Sequence, residues 1–449
     1  MTICTGTRGF VAFLALALSA CVHARLPKPP DLAIVGATVV DPRTAAAHPD
    51  QTVLVAGERI LAVGPPDQVA VPPGTPRVDA TGRFLIPGLW DMHVHALWDP
   101  TVRDTFLTTL VANGVTGVRD MGGTLEVLAQ VRAEQAATDP PWPTIVAAGP
   151  ILDGPQPVDP SISLAIETPD QAREAVAQLA NAGVDFIKVY TLLSPDAYRA
   201  TVTEASRLGL PVAGHIPYGV SVVEASTGMR SVEHLRAETG GLCAELSVED
   251  CEAGYAALRK HGVWQTPTLV ARRPRAVVDD AELVDDPRLA YVPATLRETW
   301  LANHTRNASR PAEQRHARRD AFAREQADAG ALPERGLHVL AGSDAGADFA
   351  LPGFGLHDEL ALLVEAGLTP AQALQGATSE AADYLQRPHI GMIAPGAVAD
   401  LVLLDANPLL DIHNTTRIRA VVLRGRLLDR DALDGLLQQA RAAAGERVK

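Results

Sequence analysis

The sequence has a shortage of basic charge and no extended run of lysine or arginine. It contains 39 Lys and Arg residues against 53 Asp and Glu residues, which gives a net charge of −14. Such a chain repels phosphate backbones, so nucleic acid is not expected as a partner. Of the 449 residues, 47% are hydrophobic, which is ample for a large core and untypical of a disordered or fibrous protein.

Cysteine is also scarce, and no two of the four cysteines are spaced as CxxC. A zinc site built on cysteine is therefore not expected. Cys243 and Cys251 are eight positions apart. They either close a small disulfide loop in an oxidising compartment or remain a buried pair of thiols, and the sequence leaves both alternatives open.

Residues 1–20 are a predicted secretory signal, because their apolar run is too short to stay in a bilayer as a span. The tetrapeptide LSAC, which ends at Cys21, resembles the bacterial lipobox, whose cysteine becomes lipid-modified at the new N-terminus. Val22 resembles a signal for outer-membrane sorting. We therefore expect an exported lipoprotein of the periplasm or cell envelope, attached to the outer membrane through a lipid at Cys21. The alternative is an ordinary cleaved signal.

The rest of the chain predicts an α/β fold with a divided β-domain. Residues 22–30 form a predicted proline-bearing tether. Residues 31–83 and 389–430 alternate β-branched residues with turn signals, which predicts one small discontinuous β-sandwich built from both ends of the chain. Residues 431–449 are predicted to form a C-terminal helix.

The middle of the chain, residues 84–388, predicts a (β/α)8 TIM-type barrel, because eight strand-like segments alternate with helical ones. The predicted strands are 84–95, 114–122, 144–152, 184–191, 211–217, 231–235, 264–270 and 338–346. A doubly wound open sheet is the competing fold, but no GxGxxG motif opens a helix. Residues 271–335 are rich in Arg, Asp, Glu and Ala and predict a helical insertion that partly covers the barrel mouth.

Histidines and one carboxylate recur where predicted strands end. His93 and His95 are two positions apart on the first strand, so both imidazoles face the same side. His215, His234 and Asp344 end three further strands, at the rim where barrel enzymes build active sites. Each has a structural alternative, such as a hydrogen-bonded histidine or a helix N-cap for Asp344. Their recurrence favours a site for divalent metal, for which imidazole and carboxylate are common ligands.

Lys188 lies within an apolar predicted strand, so its side chain is expected to enter the barrel. Lysine is rarely buried without a partner, and an ammonium has no lone pair to offer a metal. One interpretation is a lysine paired with Asp120 or Glu233, or one that stabilises a developing anion. The other is a carbamate formed with CO2, which is anionic and able to bridge two metals.

This set of residues resembles the binuclear amidohydrolase superfamily, nearest to its imidazolonepropionase-like and Xaa-Pro dipeptidase branch. The resemblance covers nearly all of residues 31–430 and includes the phrases PGLWDMHVH, GVTGVRDMGG and GMIAPGAVADLVLLDANPL. It implies two divalent metal ions, with Zn2+ the expected metal. One ion would be held by His93, His95 and Asp344, and the other by His215 and His234, with a CO2-derived carbamate on Lys188 bridging them. Imidazolonepropionase itself uses one metal without a bridging lysine, so Lys188 argues against that activity.

The activity implied by the resemblance is hydrolysis of a C–N amide bond in a small substrate, such as a dipeptide or an N-acyl amino acid. A metal-bridging hydroxide would attack the carbonyl, and Asp344 would carry the proton to the leaving nitrogen. A cyclic amide or lactone is the alternative substrate for the same site. A surface-anchored binding protein without catalysis is the alternative from another class. A homo-oligomer is compatible with the sequence.

Three further residues are candidates for the site. Tyr190 is two positions after Lys188 and points the same way, so it either binds the substrate carbonyl or carboxylate or packs in the core. His357 either faces the mouth as a catalytic group or has a structural role at the start of a helix. Arg119 either contacts substrate or pairs near Asp120.

Overall fold

The computed structural model describes residues 29–235, 241–243, 246–280 and 283–445. The predicted signal, the predicted lipidation site Cys21 and residues 22–28 of the tether lie outside the described residues. Within those ranges, no helix combines the length and the apolar character needed to cross a bilayer.

The described residues form an α/β fold. The strands are β1 Leu32–Asp41, β2 Ala46–Ala56, β3 Arg59–Gly64, β4 Arg77–Asp79, β5 Phe84–Pro87, β6 Leu89–Val94, β7 Val115–Asp120, β8 Thr144–Ala147, β9 Ile151–Asp153, β10 Ser163–Ala165, β11 Ile187–Val189, β12 Val212–Gly214, β13 Ser231–Glu233, β14 Trp264–Thr266, β15 Leu401–Leu404, β16 Ile418–Leu423 and β17 Arg426–Leu428. The helices are α1 Pro100–Ala112, α2 Leu125–Thr138, α3 Pro169–Asn181, α4 Pro195–Leu208, α5 Val222–Ala225, α6 Val248–His261, α7 Leu269–Ala276, α8 Ala294–Ala308, α9 Ala312–Ala331, α10 Phe354–Glu365, α11 Pro370–Gly376, α12 Ser379–Leu385 and α13 Arg430–Gly445. Short 3-10 helices cover Pro287–Tyr291 and Ile412–Thr416.

The two ends of the chain share one mixed sheet of eight strands, in the order β17-β16-β15-β5-β1-β2-β3 with β4 paired to β1. This arrangement does not confirm the predicted sandwich. The physical reason is β5, which pairs with β1 on one side and with β15 on the other and so joins N-terminal and C-terminal strands edge to edge. Apolar side chains from both ends, among them Ile34 and Leu401, pack in one core cluster beside this sheet.

The middle of the chain contains two parallel sheets, ordered β6-β7-β8 and β10-β9-β11-β12-β13-β14. The predicted strand 144–152 is therefore divided between the two sheets, as β8 and β9. Helices such as α3 and α4 separate the strands and start at N-caps: Thr168 forms a capping box with Gln171, and Ser194 caps α4.

The predicted eighth strand does not form a regular strand. Residues 338–346 carry only isolated bridges, at Val339 and Ala345, among the described residues. The backbone of Asp344 has a φ of +56°, which interrupts an extended chain. The segment nevertheless hydrogen-bonds to β14, through Leu340 N–H to Gln265 O at 2.8 Å, and to β6, through Met92 N–H to the carbonyl of Ala341 at 2.9 Å.

Candidate metal centre

The predicted metal ligands lie at the carboxyl ends of parallel strands. His93 is in β6, and His95 is the first residue after that strand. His215 and His234 directly follow β12 and β13. Asp344 belongs to the segment 338–346, which hydrogen-bonds to β14 on one side and to β6 on the other. Because these ends meet at the same edge, residues far apart in sequence come together.

Three of these side chains converge on one point. The Nε2 atoms of His93 and His95 each lie 3.4 Å from Oδ1 of Asp344. One ligand atom from each of the three residues falls within 4.8 Å of the others. The ring of His234 continues the cluster, with its centroid 4.7 Å from that of His93 and 4.8 Å from that of His215. The structure therefore brings all four predicted histidines together beside Asp344.

Lys188 and Tyr190 adjoin this cluster from β11 and the residue after it. Lys188 is completely buried, and its positive charge contributes to lowering the pKa of both His93 and His234. Its Nζ lies 5.7 Å from the centroid of the Tyr190 ring, which in turn stacks on His215 at 3.9 Å. Both predicted residues are thus at the candidate centre.

Each histidine is oriented by a hydrogen bond at Nδ1. His95 donates to the carbonyl of Gly122 at 3.1 Å, and His93 donates to Glu233 at 2.9 Å. Nδ1 of His215 pairs with the hydroxyl of Thr191 at 2.8 Å, and Nδ1 of His234 with that of Thr268 at 2.5 Å. A carbonyl and a carboxylate only accept, so His93 and His95 carry their proton on Nδ1 and present the Nε2 lone pair to the centre.

Glu233 is itself held in a buried network. Arg119 donates to both carboxylate oxygens of Glu233 at 2.9 Å, and Ser231 donates to one of them at 2.6 Å. Arg119 also donates to the hydroxyl of Tyr384 at 2.7 Å. Although burial opposes its ionisation, the Arg119 and His93 charges lower the pKa of Glu233 well below its ordinary range. A fixed carboxylate behind His93 is a recurrent way to orient a metal-binding histidine.

The protonation states of His93, His234 and Asp344 suit metal binding. Burial, together with the Lys188 charge, lowers the pKa of His93 to about 4, and burial lowers the pKa of His234 well below its ordinary value. Burial also opposes the ionisation of Asp344, but the charge of His93 and the contact with His95 lower its pKa well below the ordinary range. His95 differs, because although burial opposes its protonation, the contact with Asp344 and that residue's charge raise its pKa. Neutral imidazoles beside an ionised carboxylate are the form in which such residues bind divalent cations, and His93 and His234 have that form.

Two of the predicted ligands adopt a strained backbone. His234 has a φ of +59° and Asp344 a φ of +56°, in the left-handed region that non-glycine residues rarely occupy. Such conformations cost on the order of 1–3 kcal/mol each and concentrate at functional sites.

The residues present fit a divalent metal. Nε2 of His93 is buried and makes no hydrogen bond with any described residue, yet it points at a carboxylate oxygen that His95 also contacts. A buried polar atom of this kind normally has a partner. A cation between these nitrogen and oxygen donors would satisfy His93, His95 and Asp344 together, with His215, His234 and Lys188 beside them.

The cluster opens into a cavity of about 1160 Å3. His95, His215, His234, Asp344 and Tyr190 line its floor. Helices α7, α8 and α9, which lie largely within the predicted insertion, contribute one wall of the cavity.

A sequence model of the amidohydrolase family matches residues 84–428, which include all six predicted ligands. The chain belongs to the amidohydrolase family. Among solved structures, a bottromycin amidohydrolase is 28% identical, with a TM-score of 0.72 over 92% of this chain and 91% of that one. A structure described as a candidate prolidase from Bifidobacterium longum is 25% identical, with a TM-score of 0.72 over 92% of this chain and all of that one.

Curated relatives match this amidohydrolase over shorter stretches. An adenine deaminase of Paracoccus denitrificans is 36% identical over 90 residues, which are 20% of this chain and 15% of the relative. An adenine deaminase of Chelativorans sp. is 29% identical over 210 residues, 44% of this chain and 33% of the relative. The matches thus span a third or less of these two relatives.

The described contacts favour the structural alternative for two further candidate residues of this amidohydrolase. His357 does not line the cavity: its Nδ1 pairs with the hydroxyl of Thr415 and its Nε2 with the carbonyl of Asn113, both at 2.9 Å. Those bonds use both ring nitrogens, which supports the structural alternative. Arg119 is fully buried and pairs with Glu233, because consecutive residues of β7 point to opposite faces and Asp120 points away from it.

Sequence reasoning left two features of the amidohydrolase undetermined or undetected. Cys243 and Cys251 form a disulfide, with Cα atoms 5.1 Å apart, which decides between the two alternatives for that pair. The role of Glu233 in orienting His93 was not detected. The feature of the sequence that could have indicated this role is a charged residue on a buried strand, two positions after Ser231 and directly before a candidate ligand histidine.

Proposed function

We propose that the chain is a metal-dependent hydrolase that cleaves the C–N amide bond of a small substrate. The observation that carries the proposal is the convergence of His93, His95 and Asp344 within 4.8 Å, beside His215 and His234 and at the floor of a large cavity. Family membership supports hydrolytic chemistry in general. We also propose that residues 338–346 complete an eight-membered barrel, since they hydrogen-bond to both β14 and β6.

In the proposed site, His93, His95 and Asp344 hold one divalent ion, and His215 and His234 hold a second. A carbamate on Lys188 would supply a further anionic oxygen ligand to the site. When bound, such ions polarise a carbonyl and lower the pKa of water to near neutrality. Zinc is the expected metal, because imidazole and carboxylate ligands suit it.

The chain's own residues then position the substrate and move a proton. Asp344 accepts the proton of the attacking water and passes it to the leaving nitrogen as the C–N bond breaks. Its position 3.4 Å from the Nε2 atoms of both His93 and His95 keeps the carboxylate ionised and so able to accept that proton. Tyr190, which stacks on His215 and lines the cavity, would donate a hydrogen bond from its hydroxyl to the carbonyl oxygen.

The test combines metal analysis with a substrate panel. Purified protein supplied with zinc and bicarbonate is expected to hold about two ions per chain and to hydrolyse dipeptides or N-acyl amino acids. Asp344→Asn is expected to lower kcat by at least about a hundredfold. Turnover of lactones alone would replace the proposal with its alternative. Metal-replete protein that leaves amides, esters and lactones intact would favour a binding protein. Export and lipid attachment at Cys21 remain predictions from the sequence.

A further inference from the structure

One wall of the cavity is strongly basic, although the chain as a whole carries a net charge of −14. Helix α7 contributes Arg272 and Arg275 to the lining, and helix α9 contributes Arg318 and Arg324. Glu325 lines the same wall and lies 3.4 Å from Arg272 in an ion pair. Positive charge on this wall therefore exceeds negative charge.

Three cations of this wall, Arg275, Arg318 and Arg324, form no ion pair with a described carboxylate. The charge of Arg324 acts on Asp328, which does not line the cavity, and this leaves Arg275 and Arg318. Among the described residues, no carboxylate oxygen lies within 4 Å of either guanidinium, whereas Arg315 and Arg319 on the same helix pair with Asp279. Arg318 donates to the neutral side chain of Asn307 at 3.0 Å. Burial and the neighbouring arginine charges lower the pKa of Arg318, as expected where positive charges are not neutralised.

The other carboxylates of the cavity are engaged elsewhere. Asp344 contacts His93 and His95 at the floor, and Oδ1 of Asp159 accepts from the backbone and the hydroxyl of Ser161. Among the described residues of the cavity lining, no carboxylate therefore pairs with Arg275 or Arg318.

A different side of the cavity is apolar. Val158, Leu192 and Tyr218 line it and are 58%, 41% and 53% exposed, which is unusual for side chains of this size and character. Trp98 and Ile162 lie in the same lining. Exposed apolar groups gathered at a concave site commonly contact a ligand.

We propose that Arg275 and Arg318 bind a carboxylate of the substrate, so that the enzyme acts on amides with a free carboxylate on the helical wall and an apolar group on the loop side. The inference rests on the proposed amide hydrolysis and specifies its substrate class. A guanidinium is suited to this task because it stays charged and binds both carboxylate oxygens at once. The local positive potential also offsets the repulsion that the net negative charge exerts on an anionic substrate.

The experiment compares two compounds that share one scissile bond, N-acetyl-L-leucine and its decarboxylated analogue N-(3-methylbutyl)acetamide. Both are tested as substrates of the zinc-loaded enzyme and, by calorimetry, as ligands of the metal-free protein. The variants are Arg275→Gln and Arg318→Gln. Arg319→Gln is the matched control, since Arg319 follows Arg318 in the same helix, pairs with Asp279 and does not line the cavity.

We expect the wild type to prefer the acid, and each test variant to lower that preference in kcat/KM at least about tenfold. Turnover of the uncharged analogue and the preference of Arg319→Gln should change less than about twofold. In calorimetry, each test variant should lose affinity for the acid and keep its affinity for the uncharged analogue. If the wild type hydrolyses both compounds equally and the test variants match the control, the carboxylate site is wrong and the proposed function stands. If it hydrolyses neither, the proposed function fails for this class, and calorimetry alone decides whether the arginines bind the carboxylate.

Discussion

Oε2 of Glu359 accepts a hydrogen bond from the backbone N–H of Val270 at 2.8 Å, inside the protein and next to the first turn of α7. Glu359 is completely buried, and its other oxygen has no hydrogen-bond partner among the described residues. The contact anchors the helix that carries Arg272 and Arg275. Burial raises the pKa of Glu359 to about 8.

Glu359 should make the protein less stable as the pH rises. Between its ordinary pKa of 4.5 and its folded pKa of about 8, the folded state binds a proton that the unfolded state has lost. The free energy of unfolding therefore falls with pH in this window, by up to about 1.4 kcal/mol per pH unit. Glu359→Gln removes this dependence, so its stability relative to the wild type should increase from pH 5 to pH 8 in denaturant titrations. Glu365→Gln, an exposed position of the same helix, is the control, and a difference that stays constant with pH would contradict the assignment.

Glu233→Gln should weaken metal binding without removing a ligand. The amide no longer holds His93 as a carboxylate does, and changes of this kind cost about 10- to 100-fold in metal affinity. The variant also leaves Arg119 without a full counter-charge, which should destabilise the fold by about 3–5 kcal/mol. Affinity is therefore measured by chelator competition on protein shown to be folded. Tyr384→Phe, which removes a different partner of Arg119, should retain wild-type affinity; equal losses in both variants would mean that general destabilisation is responsible.

Lys188→Ala should lower the metal content from about two ions per chain to one or fewer, because the variant lacks the side chain on which the carbamate ligand is proposed. Elemental analysis measures the loss. Protein incubated with carbon-13 bicarbonate should give a carbamate signal in NMR that Lys188→Ala lacks and that Lys260→Ala, changed at an exposed lysine, retains. An unchanged metal content in Lys188→Ala, or no carbamate signal in the wild type, would remove Lys188 from the bridge.

The disulfide should stabilise the protein modestly. Cys243 and Cys251 are eight positions apart, and closing a loop of that length contributes about 2–3 kcal/mol to the free energy of unfolding. The double variant Cys243→Ser/Cys251→Ser should lose that amount in urea titrations. Dithiothreitol should reproduce the loss in the wild type and have no further effect on the double variant.

The positions of the candidate ligands could be predicted because strand periodicity is a local property. The alternation of β6 places His93 and His95 on one side, and the short apolar runs before His215 and His234 mark strand ends. Asp344 was placed at the correct edge although its segment is not a regular strand, since an apolar run precedes it in the same way. The family assignment that followed from these residues is confirmed.

Features that depend on long-range contacts could not be predicted from the sequence. The pairing of Arg119 with Glu233 joins residues 114 positions apart, and no local pattern encodes it. Histidine is a common catalytic residue, yet hydrogen bonds to Thr415 and Asn113 hold His357 outside the lining of the cavity. The single mixed sheet depends on β5 pairing on both edges, which alternation alone does not determine.

One residue separates β5, which belongs to the eight-stranded sheet, from β6, which carries His93. That residue is Gly88, whose N–H donates to the carbonyl of Asp400 at 2.7 Å, and a Cβ there would lie 2.2 Å from the Thr116 hydroxyl oxygen. Because side chains alternate along a strand, losing or adding one residue at this junction would turn His93 and His95 to the opposite face while leaving both histidines in the sequence. The number of residues between β5 and β6 therefore determines which way the candidate metal ligands of β6 point. The chain can tolerate changes of length in its loops far more readily than at Gly88.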